Sequence, residues 1–290
     1  MVVESKTNDT GQDDMDKLKI RNMEEFAKLI GISRPTVSKF FNDPESVRPK
    51  TRAQIEQSLS QHDYRPNMYA AGVLLAPLGR ASDRQALEKF CADVPTLIFD
   101  SSVDEIGLAF VGSDNVQFTA HISDYLCRTG EPPCFFEMKT PANPNAHRRR
   151  QSYLNAMDRF GYPAQVISVD GEGWELEEIG RLGGHDALAR NAFSTNTILC
   201  SNDRLAIGLL TACFERGIRV GRDEGCALRI AGQDGHPHSR YTCPPLTTIS
   251  HDYDAVSKAA ALALFAAIDG NVAPWKSTRL EGKLILRSSA

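Results

Sequence analysis

The chain has 290 residues, 41% of them hydrophobic and 24% charged, with a formal net charge of −4. That length holds one large domain or two to three smaller ones, and the composition is that of a soluble globular protein with a sizeable core. It speaks against a membrane-spanning chain, because no apolar run approaches the ~20 residues of a span.

The first stretch, MVVESKTNDTGQDDMD, has no basic start followed by an apolar run and does not read as a secretory signal. Residues 1–17 read as a polar, disordered tail. Residues 17–70 then carry ten Lys/Arg against six Asp/Glu, a small basic module on a mildly acidic body. Such an asymmetry suits nucleic-acid binding. Seven cysteines, at 91, 127, 134, 200, 213, 226 and 243, form no CxxC pair. They read as reduced thiols of a cytoplasmic protein, neither a disulfide framework nor a zinc site.

The basic module runs NMEEFAKLIGISRPTVSKFFNDPESVRPKTRAQIEQSLSQHDYRPN, residues 22–67. Met23, Phe26, Ala27 and Ile30 share one helical face, and Gly31 stops that helix. Ser33 can cap the next helix through its side-chain oxygen, and Pro35 suits a first-turn position. Val37, Phe40 and Phe41 supply the second helix's apolar face, and Asn42-Asp43-Pro44 breaks it. A third helix starts near Thr51, carries Ile55 and Leu59, and ends before Tyr64. Three short helices, the first two joined by a tight Gly turn, predict a helix-turn-helix; a generic three-helix bundle is the plainer alternative. Arg34, Thr36, Ser38 and Lys39 face outward on the second helix. Short hydroxyls and long cations suit phosphate oxygens and base edges.

The segment AKLIGISRPTVSKFFN, followed by VRPKTR and YRPN, resembles the headpiece of the LacI/GalR (lac-repressor-type) family of bacterial transcription regulators. The T-V-S, the Asn after it, T-R and Y-R-P-N all match the family pattern. Glu25 replaces the usual Asp, Ile30 an Ala and Lys39 an Arg. The resemblance implies a headpiece over 18–66 that binds double-stranded operator DNA. Arg34, Pro35 and Lys39 would take base-reading positions; Ser33, Thr36, Ser38, Asn42 and Thr51 would sit on phosphates. Pro35 has no N–H to donate, so it offers a thymine methyl only apolar contact, and starting the helix is its other reading.

Beyond residue 71, apolar runs at 72–77, 95–100, 106–114, 133–138, 164–170, 196–203, 227–234 and 246–250 read as buried strands. Helical patterns lie near 82–91, 115–129, 146–160, 175–190, 203–216 and 252–269. The alternation predicts an α/β fold with parallel sheets, whose ligands bind beyond the carboxyl ends of the strands. Asp114, Asn202 and Asp234 stand at such ends.

These residues also fit the family. VGSDN resembles its V-x-x-D-N element, and HRRRQSY its R-x-x-G-Y, with Ser152 for Gly and Arg149 at the Arg. SNDRLAIG resembles N-D-x-x-A-x-G, and AGQD with PPLTTI resembles G-x-D…P-P-L-T-T-I. The resemblance spans about residues 20 to 290. It implies a two-lobed periplasmic-binding-protein-like body, with 72–130 and 252–272 in the first lobe and 131–251 and 273–290 in the second. It also implies a homodimer and a small sugar or polyol effector between the lobes.

Asp114, Arg149, Asn202 and Asp234 are the main effector candidates. Carboxylates accept from hydroxyls, Arg donates a rigid fork and Asn does both. Asp and Asn at strand-to-helix junctions read equally as helix caps. Trp174 is placed either to stack on a sugar face or to pack at a helix start. His251 and Tyr253 stand at pocket positions or pack the lobe crossover. The two histidines of GHPHSRYTC lack partners at metal-ligand spacing, and no cofactor motif, Gly-rich phosphate loop or nucleophile–base pair is present, so neither a metal site nor an enzyme is expected.

The junction YRPNMYAAGVLLAP departs from the family. The hinge that follows Y-x-P-N is reduced to residues 67–71 and lacks its Arg-x-Leu. GVLLAPLGRASDRQ resembles the family's third body strand, while the first two βα units, about 30 residues each, have no counterpart. The plain alternative takes GVLLAP as the first strand itself. Either way the sequence predicts a regulator; a sugar-binding protein without effective DNA binding is the competing outcome.

Overall fold

The computed structural model of the chain describes residues 20, 22–62, 64, 72–76, 84–101, 109–141, 143–268 and 277–290. The expected tail (1–17) and shortened hinge (67–71) lie outside the described residues. The chain divides into two compact units, Met1–Ala71 and Gly72–Ala290.

In the first unit, Asn22 caps helix α1 (Met23–Ile30) by accepting from the Glu25 N–H at 2.9 Å, and Gly31 ends it at φ 70°. Helix α2 (Arg34–Asn42) opens on Ser33, which caps it, with Pro35 in the first turn. Helix α3 (Pro49–His62) begins two residues before Thr51, after a single 3-10 turn at Pro44–Ser46. Gln54 on α3 donates to the Ile30 carbonyl at 3.0 Å, which satisfies an end of α1. Phe26, Val37 and Ile55 are fully buried, and Tyr64 stacks on Phe26 with ring centroids 4.5 Å apart. One apolar face per helix thus closes a core of its own.

The second unit holds two sheets. In the first lobe β1 (Val73–Leu75), β2 (Thr96–Phe99), β3 (Phe110–Ser113) and a late strand β9 (Thr278–Leu280) lie in the order β1-β2-β3-β9, all parallel. Helix α4 (Arg84–Asp93) joins β1 to β2, and α9 (Tyr253–Ile268) buries Val256 and Ala260 against Leu97, Ala109 and Val111.

The second lobe runs β5-β4-β6-β7, with β4 (Cys134–Met138), β5 (Val166–Val169), β6 (Thr197–Cys200) and β7 (Arg229–Ala231) all parallel. Beside β7 lies β8 (Thr248–Ser250), paired antiparallel with β10 (Lys283–Ile285). Helices α5 (Asn115–Thr129) and α6 (Asn145–Phe160) share one core cluster with this sheet, and α7 (Leu176–Ala189) and α8 (Asp203–Glu215) another. α7 and α8 meet at two glycines: a Cβ on Gly208 would stand 2.1 Å from the Glu177 carbonyl, and one on Gly180 2.4 Å from that of Leu205.

The lobe boundaries differ from the expectation in two places. The sequence reading puts 72–130 in the first lobe, but α5 packs Ile122 and Leu126 against Phe135, Tyr153 and Met157 of the second. Its apolar stripe finds its partner in α6, so the crossing comes at residue 114. Residues 273–290 are divided: β9 pairs with β3 of the first lobe and β10 with β8 of the second. Both strands are three residues long and carry no period from which to predict them. The strand expected over 106–114 is described from 109 only, and the expected 227–234 shortens to Arg229–Ala231.

Candidate functional site

On the headpiece, Arg34, Pro35 and Lys39 are all exposed on α2, with Ser38 and Thr51 half-exposed. Ser33 and Thr36 are joined to each other: the hydroxyls lie 2.8 Å apart, and the Thr36 N–H donates to Ser33 Oγ at 3.4 Å. Their polar atoms hold the helix start, beside which the cations project. Asn42 closes α2; its side chain is not among those described.

Within the body, the carboxyl ends of strands from both lobes face one cleft of about 390 Å³. Ala76, Asp100 and Ser113 follow or end β1, β2 and β3; Asn143 and Asn145 follow β4; Ser201 and Asn202 follow β6; Asp234 follows β7. This is where an open parallel sheet binds its ligand.

Arg149 of α6 lies buried at the centre. Its Nη2 meets Asp234 Oδ1 at 2.6 Å, its Nε donates to Asn115 Oδ1 at 2.8 Å, and its Nη1 to the Ser201 carbonyl at 2.8 Å. All three guanidinium nitrogens are thereby engaged. Asp234 stands at φ 139°, a strained backbone for a residue other than glycine. His251 Nε2 reaches Asp234 Oδ1 at 3.3 Å, and its Nδ1 lies 2.5 Å from Ser113 Oγ. The Tyr253 hydroxyl donates to the Asp234 carbonyl at 3.4 Å.

Burial pushes the Asp234 carboxyl up, but the Arg149 charge and the His251 hydrogen bond outweigh it and hold the group below the usual carboxylate range. Asp203, one residue past Asn202, moves the other way. Burial, and then the charge of Asp234, raise its carboxyl against hydrogen bonds from Thr248 Oγ1 at 2.6 Å and the His236 N–H at 2.7 Å. Tyr253 is likewise raised, by burial and by Asp234.

Of the seven effector candidates, Arg149, Trp174, Asn202, Asp234, His251 and Tyr253 line the cleft together. Asp114 is not among its lining residues: it caps α5, accepting from the N–H groups of Val116 at 3.1 Å and Gln117 at 3.0 Å. Asn202 combines both expected roles, capping α8 through the Leu205 N–H at 2.8 Å while facing the cleft. Trp174 precedes α7, which Glu175 flanks, and is 49% exposed. The sequence reading passes over Asn115, Asn145, Ser201 and Asp100. Asp100 and Ser201 directly follow strands, a signal that could have found them; Asn145 and Asn115 carry no such mark. Among the described residues no group of three or more His, Cys, Asp or Glu is placed to hold a metal ion. No described helix is long and apolar enough to cross a membrane.

Residues 22–67 match the family described as bacterial regulatory proteins, lacI family, and residues 131–290 match the periplasmic binding protein-like domain. The HTH-type transcriptional regulator YvdE of Bacillus subtilis is 21% identical, over 92% of this chain and 98% of the relative. The sucrose operon repressor of Escherichia coli is 22% identical, over 92% and 99%. The lac repressor bound to ONPG superposes with a TM-score of 0.66 at 18% identity, covering 93% of this chain and 99% of that one, a likeness of fold. The alignment with the B. subtilis regulator runs over 327 positions yet takes in 92% of these 290 residues, so roughly 60 positions of the relative have no counterpart here.

Proposed function

The chain belongs to the lacI family of bacterial regulatory proteins, and from that premise we propose that it is a sequence-specific transcription repressor controlled by a small sugar or polyol. One combination carries the reading: a helix-turn-helix whose α2 exposes Arg34, Pro35 and Lys39, in a chain whose body holds a cleft built on the buried Arg149–Asp234 pair. Arg34, Pro35 and Lys39 read base edges; Ser33, Thr36, Ser38, Asn42 and Thr51 set the module on phosphates. A homodimer presents two such helices to successive major grooves of a near-palindromic operator. Effector in the cleft, on Arg149, Trp174, Asn202, Asp234, His251 and Tyr253, shifts the balance between DNA-competent and incompetent states. The names of the sucrose operon repressor and of the ONPG-bound lac repressor support the sugar class. The protein works in the cytoplasm and is not a catalyst.

A gel-shift series with genomic fragments tests this. A sequence-selective shift is expected, weakening steeply with salt; replacing Arg34 and Lys39 with Ala should abolish selectivity and lower the salt slope by about 2. A shift that is equal for all sequences and untouched by those replacements would count against it.

The unmatched positions and the first lobe's strand order support a second element of the reading: two βα units, at about 30 residues each, are absent ahead of β1. The shortened chain should dimerise and bind operator more weakly than a version with the segment restored. Equal sedimentation of the two across a dilution series would contradict that, and would leave the protein a regulator of undiminished strength.

A further inference from the structure

The charges of the cleft constrain what can enter it. Its two guanidinium groups are both engaged: Arg149 by Asp234, Asn115 and Ser201, and Arg204 by a two-pronged pair with Glu177, Nε to Oε1 at 2.6 Å and Nη2 to Oε2 at 2.5 Å. Asp100 adds a carboxylate to the wall. A phosphate or carboxylate ligand would therefore meet no uncommitted cation among the described lining residues, and would have to displace an existing carboxylate to find one.

Hydroxyl groups fare better. Asn145 is 5% exposed and donates through Nδ2 to the Asp100 carbonyl at 3.3 Å, while its Oδ1 is buried without a partner. A buried acceptor left unmade costs about 1–3 kcal/mol, so the site is poised to take an O–H there. Beside this polar zone the cleft opens into an apolar recess of about 30 Å³ lined by Met138, Pro141, Ala146, Trp174 and Leu176. The recess itself admits only a small group or a ring edge. The indole at its mouth is half-exposed, however, and shares the lining of both spaces. An aromatic plane placed so offers a broad apolar contact to a second unit of the ligand.

We propose that the effector is an uncharged glycoside of two parts: a hydroxyl-rich ring in the polar zone at Asn145 and Asp234, and a second ring or apolar aglycone laid on Trp174 over the recess. This rests on the effector-controlled reading above and narrows it, setting aside free monosaccharides, sugar phosphates and uronates.

The test uses the full chain carrying Trp275→Phe, which leaves Trp174 as its single indole. Emission is followed against maltose, cellobiose, lactose, sucrose and phenyl glucoside, against glucose, galactose, fructose and ribose, and against glucose 6-phosphate and galacturonate. A neutral disaccharide or the phenyl glycoside should change the emission and bind at least about tenfold more tightly than its own monosaccharide. Trp174→Ala, read by thermal shift, should erase that advantage, and Trp174→Tyr should restore most of it. Equal affinity for a disaccharide and its monosaccharide, tighter binding of the phosphate or uronate, or an advantage that survives Trp174→Ala would overturn the two-part glycoside. If the ligand that binds instead also alters the gel shift, effector control stands and only this inference falls. Binding of none of the probes at about 10 mM, with no change in the gel shift, overturns both.

Discussion

In the second lobe the chain enters its sheet at β4, lays β5 on one side, and then sets β6 and β7 on the other. In the first lobe the order β1-β2-β3-β9 never reverses. A doubly wound sheet opens its ligand crevice where the order turns, because the loops there leave in opposite directions. The second lobe accordingly supplies most of the cleft's functional groups: Asn143, Asn145, Arg149, Ser201, Asn202 and Asp234. The first lobe contributes the ends of its strands and the start of α9. Among the described residues β1 has a single sheet partner, and its Leu74 is 40% exposed. On α9, Leu262 and Phe265 are 60% and 61% exposed. The same βα grammar thus yields one lobe closed around its core and one with an open edge and an apolar flank, a surface that complete sheets avoid.

The contrast can be broken most severely at the centre of the cleft. Arg149→Leu would strand Asp234 in the interior without its counter-charge, an expected loss of about 3–5 kcal/mol in denaturant unfolding. A loss under about 1 kcal/mol would show that the cleft is wetter than its contacts imply. Next come matched glycines. Gly208→Ala pushes a methyl into backbone atoms of α7 that cannot yield, at a cost of about 1–3 kcal/mol. Gly72→Ala meets the ends of Leu264 and Ile268, which can swing aside, and should change stability by less than about 0.5 kcal/mol. Equal costs would erase the difference in packing between the lobes.

Caps come third. Asn202→Ala and Asp114→Ala should each cost about 1 kcal/mol, but only the first should also weaken effector binding, as calorimetry would reveal. Asp203 then gives a slope with pH. Its carboxyl is raised above the ordinary 3.8, so its contribution to stability is fully present below that value and is lost as pH rises through the folded-state pKa. Asp203→Asn should remove that decline from unfolding curves taken between acid and neutral pH; an unchanged profile would assign the decline elsewhere. The smallest energetic effect belongs to the first lobe. Leu262→Ser with Phe265→Ser should leave stability within about 0.5 kcal/mol of the parent while reducing self-association in sedimentation.

The sequence carried a good deal of this. Helix ends at Gly31 and Ser33, and most of the strand positions, followed from local signals that the structure retains. Allegiance was harder. The stripe of Ile122 and Leu126 shows that α5 is amphipathic, yet nothing in its period names α6 as the partner. Asp114 and Asn202 present one local pattern, a polar residue between strand and helix. Only the direction of each strand's exit decides that one faces the cleft and the other does not. Arg149 was legible through family resemblance, whereas its bond to Asn115 joins residues 34 apart and leaves no trace in either neighbourhood.

The imidazole of His251 touches both ends of the chain's passage between lobes. Asp234 can only accept, so Nε2 carries the proton toward it, and Nδ1 is left to accept from the Ser113 hydroxyl. The two ring nitrogens therefore belong to different lobes and to different electronic states. Their nitrogen-15 resonances should be widely separated in the joined form and should draw together when either contact opens. The molecule thus contains its own spectroscopic gauge of lobe movement, readable without a label on ligand or DNA.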